Sequence, residues 1–155
     1  MIIRRFREGD ADQVSAMVIH TLQTSNSKDY SAEEIDAMIS RFQPSGVLER
    51  ASWTHFYVAE EGESIIGCGA IGPYWGSEIV SSLFTVFVLP ERQGKGIGRR
   101  IIETLEKDEY FLRAERVEVP ASITGVGFYR KLGYEYKNGI DHPDEERRYR
   151  LEKFR

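Results

Sequence analysis

The chain has 155 residues, 41% of them hydrophobic and 30% charged, which is the balance of a soluble globular domain rather than a disordered segment. A formal net charge of −4 excludes an overall electrostatic pull toward nucleic acid and leaves a cationic substrate allowed but not required. One cysteine excludes an internal disulfide, and no run approaches the roughly 20 apolar residues that a bilayer span needs.

The expectation is therefore a single domain over residues 1–155, cytoplasmic, without membrane partners. Ile2 to Phe6 reads as a short strand, and Asp10 as a helix N-cap with Gln13 three residues on. Val14, Met17, Val18 and Leu22 then keep helical spacing. Ser31-Ala32-Glu33-Glu34 is a capping-box pattern that opens a second helix, whose buried stripe is Ile35, Met38, Ile39 and Phe42; Pro44-Ser45-Gly46 is expected to stop it. Thr54–Ala59 and Ser64–Ala70 read as a hairpin around Glu61-Gly62-Glu63, with Gly72-Pro73 and Trp75-Gly76 breaking the pattern. Ile79–Val88 is a long apolar strand ended by Leu89-Pro90. Ile97, Ile101, Ile102, Leu105 and Leu112 give an amphipathic helix. Arg116–Val119 is a short alternating strand, and Phe128, Tyr129 and Leu132 mark a last helix stopped by Gly133. Tyr134–Lys137 and Arg147–Phe154 close a mixed, largely antiparallel α/β sheet flanked by helices.

Between Val88 and Arg100 a strand ends, glycines fall at alternate positions and a helix begins at once. Glycines let a ligand approach the backbone, and the helix N-terminus adds partial positive charge, so the segment suits a phosphate. Two familiar phosphate loops fail on spacing. A P-loop would need glycine where Leu89 stands, and a dinucleotide fingerprint would need it at Arg99 or Ile101. The string from Val88 to Gly98 instead resembles the pyrophosphate loop of the GNAT superfamily of N-acetyltransferases, whose Gln/Arg-x-x-Gly-x-Gly pattern reads here as Gln93-Gly94-Lys95-Gly96-Ile97-Gly98. Phe128-Tyr129-Arg130-Lys131-Leu132-Gly133-Tyr134 is similar to the second signature of that family, and the likeness covers essentially the whole chain.

The resemblance implies acetyl-CoA as co-substrate, with Gln93 to Gly98 and Arg99 on its pyrophosphate and the backbone of Val86, Phe87 and Val88 along its arm. It makes the Val88 N–H the oxyanion donor and Tyr129 the general acid for the departing thiolate. Ser122 stands where many members place a CoA-contacting asparagine, and Ser82 where several carry a basic glutamate. Glu78 is then either a base acting through water or a surface carboxylate. Tyr30, Tyr74 and Trp75 are candidate substrate walls or packing groups, and Cys68 reads as a small apolar strand residue. His20, His55 and His142 show no metal-ligand spacing, so no metal is expected.

The acceptor expected from this reading is a small-molecule primary amine. Acetylation of a protein N-terminus or lysine, which would want an open acidic groove, and a non-catalytic acetyl-CoA module are the alternatives. A homodimer is allowed by analogy with relatives.

Overall fold

Alternate residues of a strand face opposite sides of a sheet, and here the two sides bury separate apolar clusters. The computed structural model describes residues 1–155. It builds β1 (Ile2–Arg5), α1 (Ala11–Thr24), α2 (Ala32–Ser40), α3 (Pro44–Trp53), β2 (His55–Glu61), β3 (Ser64–Pro73) and β4 (Val80–Val88). The chain continues through α4 (Ile97–Leu105), α5 (Glu109–Leu112), β5 (Arg116–Ser122), α6 (Val126–Lys131), β6 (Glu135–Tyr136) and β7 (Arg148–Phe154). The seven strands form one sheet in the order β1-β2-β3-β4-β5-β7-β6. One cluster joins Ile101, Ile102 and Leu105 of α4 to Leu83, Val117, Val119 and Tyr134. The other packs Val14, Val18 and Leu22 of α1 with Ile35, Val47, Phe56, Val58 and Cys68. No helix is long and apolar enough to cross a membrane.

Four local expectations are corrected. α2 does end before Pro44-Ser45-Gly46, but that segment also starts a further helix, α3, because proline at the first helical position gives up only an N–H that would have no partner there. Gly46 is needed at that corner, since a Cβ on it would collide with the Arg41 backbone carbonyl. Gly72-Pro73 lies within β3, which runs on to Pro73. Asp10 precedes α1, but its side chain caps nothing there. It binds Arg4 through two hydrogen bonds of 2.9 Å and accepts from the Arg7 N–H, while Gln13 accepts from the Ile65 N–H. Finally, α4 stops at Leu105, because Asp108 caps a separate short helix by accepting from the Tyr110 N–H, and Leu112 is left exposed. The Ser31/Glu34 capping box forms as its spacing predicts.

The feature that positions the site is the one parallel strand pair. β4 and β5 pair only at Val80↔Arg116, Ser81↔Val117 and Ser82↔Glu118, and all other neighbours in the sheet are antiparallel. β4 continues to Val88 and β5 to Ser122 without pairing to each other, so the two strands part and leave a gap in the middle of the sheet.

Candidate active site

The gap is the floor of a cleft enclosing about 1250 Å³. Its wall on the β4 side is shaped by a bulge. The β3–β4 register slips between Cys68 and Ala70, and Thr85 opposite takes φ 55°, a conformation that a β-branched residue adopts only when its surroundings enforce it. The fully buried Cys68 thiol donates to the Thr85 carbonyl at 3.2 Å, and burial pushes its pKa up to about 12, so it is a packed strand residue and no nucleophile. Beyond the bulge, the Leu89 N–H bonds the Ile66 carbonyl of β3. Strand alternation therefore turns the Val88 N–H the other way, toward the gap.

At the end of β4 the glycine loop opens onto the same cleft, which Gln93, Gly94, Gly96, Ile97, Gly98 and Arg99 line. Gly94 and Gly96 have φ of 76° and 81°, and nothing lies within 4 Å of where a Cβ would stand on either. Glycine is required there by backbone conformation, and the space above the loop is open. Gly98 has a different reason, since a Cβ would meet the Phe128 ring at 3.1 Å and hold α4 away from α6. The Gln93 amide donates to the Val88 carbonyl at 2.9 Å and to Ser25 Oγ at 3.2 Å, fixing the loop to the strand end and to α1. Lys95 is not among the cleft-lining residues, and Arg99 is shared with Glu103 at 3.2 Å.

Across the gap, α6 presents Tyr129. Its side chain is buried, its ring packs against Phe128 and Tyr134, and its hydroxyl makes no hydrogen bond within the protein. Burial raises its pKa well above the ordinary phenol value. Ser122 ends β5, and its Oγ accepts from the Gly125 N–H at 2.9 Å, so its lone pair is used at the start of α6 while its own hydrogen stays available.

The remaining sequence candidates divide. Tyr74 and Trp75 line the cleft mouth, Trp75 being 91% exposed at φ 50°. Tyr30 also reaches the cleft but is buried, accepting from the Ile123 N–H at 2.8 Å and donating to the Arg147 carbonyl at 2.9 Å, so it ties the loop after β5 to the approach to β7. Glu78 is exposed and absent from the cleft lining. Its position just before β4 leaves it on the outer surface, which counts against a base role.

Glu118 is the cleft carboxylate that the sequence does not single out. It is 2% exposed at the last position where β5 pairs with β4, opposite Ser82. Arg116 donates to it, and Lys137 reaches both its oxygens at 3.0 Å. Two cations thus match its buried charge. The Val-Glu-Val alternation marks a polar face on β5, but only the sheet register shows that this face is covered.

A profile of the acetyltransferase (GNAT) domain family matches residues 52–136. The chain belongs to this family, the GNAT N-acetyltransferases, and is by that membership an acyltransferase. It is 27% identical over 133 residues to the uncharacterised N-acetyltransferase YafP of Escherichia coli (strain K12), covering 86% of this chain and 80% of that one. Its fold is similar to that of the PaiA N-acetyltransferase from Thermoplasma acidophilum in complex with coenzyme A, with a TM-score of 0.83, 18% identity and 99% and 98% of the two chains covered. A GNAT family acetyltransferase from Brucella melitensis in complex with acetyl-CoA is similar at a TM-score of 0.64 and 24% identity, over 86% of this chain and 82% of that one.

Proposed function

We propose that this chain transfers the acetyl group of acetyl-CoA to a primary amine of a small molecule, by direct attack in a ternary complex. The observation that carries the reading is the continuity of one cleft, from the open glycine loop along the end of β4 that β5 leaves unpaired to Tyr129. Gly94 and Gly96 offer backbone N–H groups and the N-terminus of α4 to a pyrophosphate, and the gap is open to a pantetheine arm that would take up the backbone hydrogen bonds β5 leaves unmade. The complexes with coenzyme A and acetyl-CoA among the structural neighbours support this placement.

The amine nitrogen attacks the thioester carbonyl carbon, the new C–N bond forms and the C–S bond breaks. The amine loses one proton and the departing sulfur gains one, giving an amide and free CoA. The Val88 N–H, turned into the gap, is the donor for the developing oxyanion. Tyr129 supplies the proton to sulfur. Burial raises its pKa, so it enters the reaction protonated, as a donor. Its acidity is too low to react before the C–S bond opens, and proton transfer follows the growth of charge on sulfur.

Neither cleft carboxylate is free to accept the amine proton, since Glu118 is held by Arg116 and Lys137, and Glu146 lies beside Arg148 and Arg150. The acceptor therefore enters as the neutral amine, and the proton it sheds on acylation passes to water, from which Tyr129 is reprotonated. Tyr129→Phe tests the reading. Acyl transfer, followed as thiol release, is expected to fall at least about tenfold with acetyl-CoA affinity nearly unchanged. Unchanged turnover would remove Tyr129 from the acid role.

A further inference from the structure

The cleft carries a charge pattern opposite to that of the whole molecule. The chain has a net charge of −4, yet six arginines line the cleft against two glutamates. Arg92 and Arg99, on the side of the glycine loop, have partners of their own, in Glu61 at 2.6 Å and Glu103 at 3.2 Å. Three of the others come from separate elements. Arg41 follows the end of α2, Arg50 lies in the last turn of α3, and Arg148 opens β7.

These three are poorly matched by carboxylates. Arg41 donates only to the Ala37 carbonyl, at 3.4 Å. Arg50 has no carboxylate within 4.0 Å and rests on Thr85 Oγ1 at 3.4 Å and on the Phe42 ring at 4.5 Å. Arg148 has only Glu146, at 3.8 Å and largely exposed, whereas neighbouring Arg150 is held by Asp144 at 2.7 Å. Burial lowers the pKa of both Arg50 and Arg148, and the Arg41 charge lowers each further, which places the three within reach of one another's fields. Arg50 and Arg148 are partly buried and Arg41 is exposed; like charges gathered with so few counter-ions repel one another, and a bound anion reverses the sign of that interaction.

The cluster also stands where an acceptor must lie. Arg50 touches Thr85, at the bulge within the stretch of β4 that has no β5 partner. Arg148 is in register with Ser122, at the end of β5 on the other side of the gap. We propose that the acceptor is an amine that also carries an oxyanion, a carboxylate or a phosphate, bound by Arg41, Arg50 and Arg148 while its amino group points into the gap. Guanidinium forks suit either anion. The inference rests on the acetyltransferase reading and narrows its substrate class.

The test is a thiol-release assay of the wild-type protein with acetyl-CoA and matched acceptors, namely α-amino acids against their carboxamides and aminoalkyl phosphates against the corresponding amino alcohols. The anionic member of at least one pair is expected to win by at least about tenfold in kcat/KM, and the winning pair identifies the anion. Arg50→Gln and Arg148→Gln are expected to raise the KM for that acceptor and erase the preference, with the acetyl-CoA Kd and the melting temperature retained. Equal or better use of the neutral members overturns the inference, as does a preference that persists when both arginines are replaced. Failure of the wild type to bind acetyl-CoA would sink the acetyltransferase reading together with the inference. Binding without an anionic preference sinks the inference alone.

Discussion

Asp10 shows how one side chain can leave its local role for a longer-range one. Rather than cap α1, it holds Arg4, which in turn reaches Glu60 at 3.0 Å, tying β1 to the start of α1 and to β2. The Arg4 hydrogen bonds, helped by the Arg7 N–H, keep the Asp10 carboxyl below its ordinary value of 3.8 against the opposing effect of burial. A carboxyl with a lowered folded-state pKa contributes its stability above the unfolded value, and that contribution is lost as pH falls through the folded value. The melting temperature is accordingly expected to fall below about pH 4. Asp10→Asn should be less stable at neutral pH and show a shallower acid slope. An identical slope in the variant would assign the acid sensitivity to other groups. Gly96→Asp belongs to the same scale. Its φ of 81° disfavours any side chain, and a carboxylate would face the pyrophosphate, so loss of CoA binding is expected in a titration.

At the scale of elements, the corner between α2 and α3 controls where Arg41 and Arg50 stand. Gly46 lets the Arg41 carbonyl pack onto α3, and Gly46→Ala is expected to cost about 1–3 kcal/mol as the corner is forced apart. Thermal denaturation checks this, and a melting temperature equal to the parent's would show that the corner relaxes freely. The same corner shows what could be read from the chain. The glycine loop, the Ser31 capping box and the Tyr129 helix are written in contiguous residues, and each is legible because its geometry is local. Proline-serine-glycine carries two meanings, helix start and chain stop, and only the packing of α3 on α1 and β2 chooses between them. Glu118 and Arg148 were beyond sequence reading for a related reason. Their places depend on pairings with Ser82 and Ser122 that lie far apart in the chain.

Across the whole molecule, the sheet divides the labour. Helices on its two faces bury separate cores, and the sheet is interrupted only where β4 and β5 part. The missing backbone pairs there are the opening that a CoA arm would fill, and the side chains around it separate a glycine-loop end from an arginine-rich end. Acetyl-CoA is therefore expected to bind in this opening. Calorimetric titration of the purified protein with acetyl-CoA and with CoA tests it most directly. Saturable micromolar binding is expected, abolished by Gly96→Asp and left nearly intact by Tyr129→Phe. Absence of binding to either ligand, or native affinity in Gly96→Asp, would contradict it.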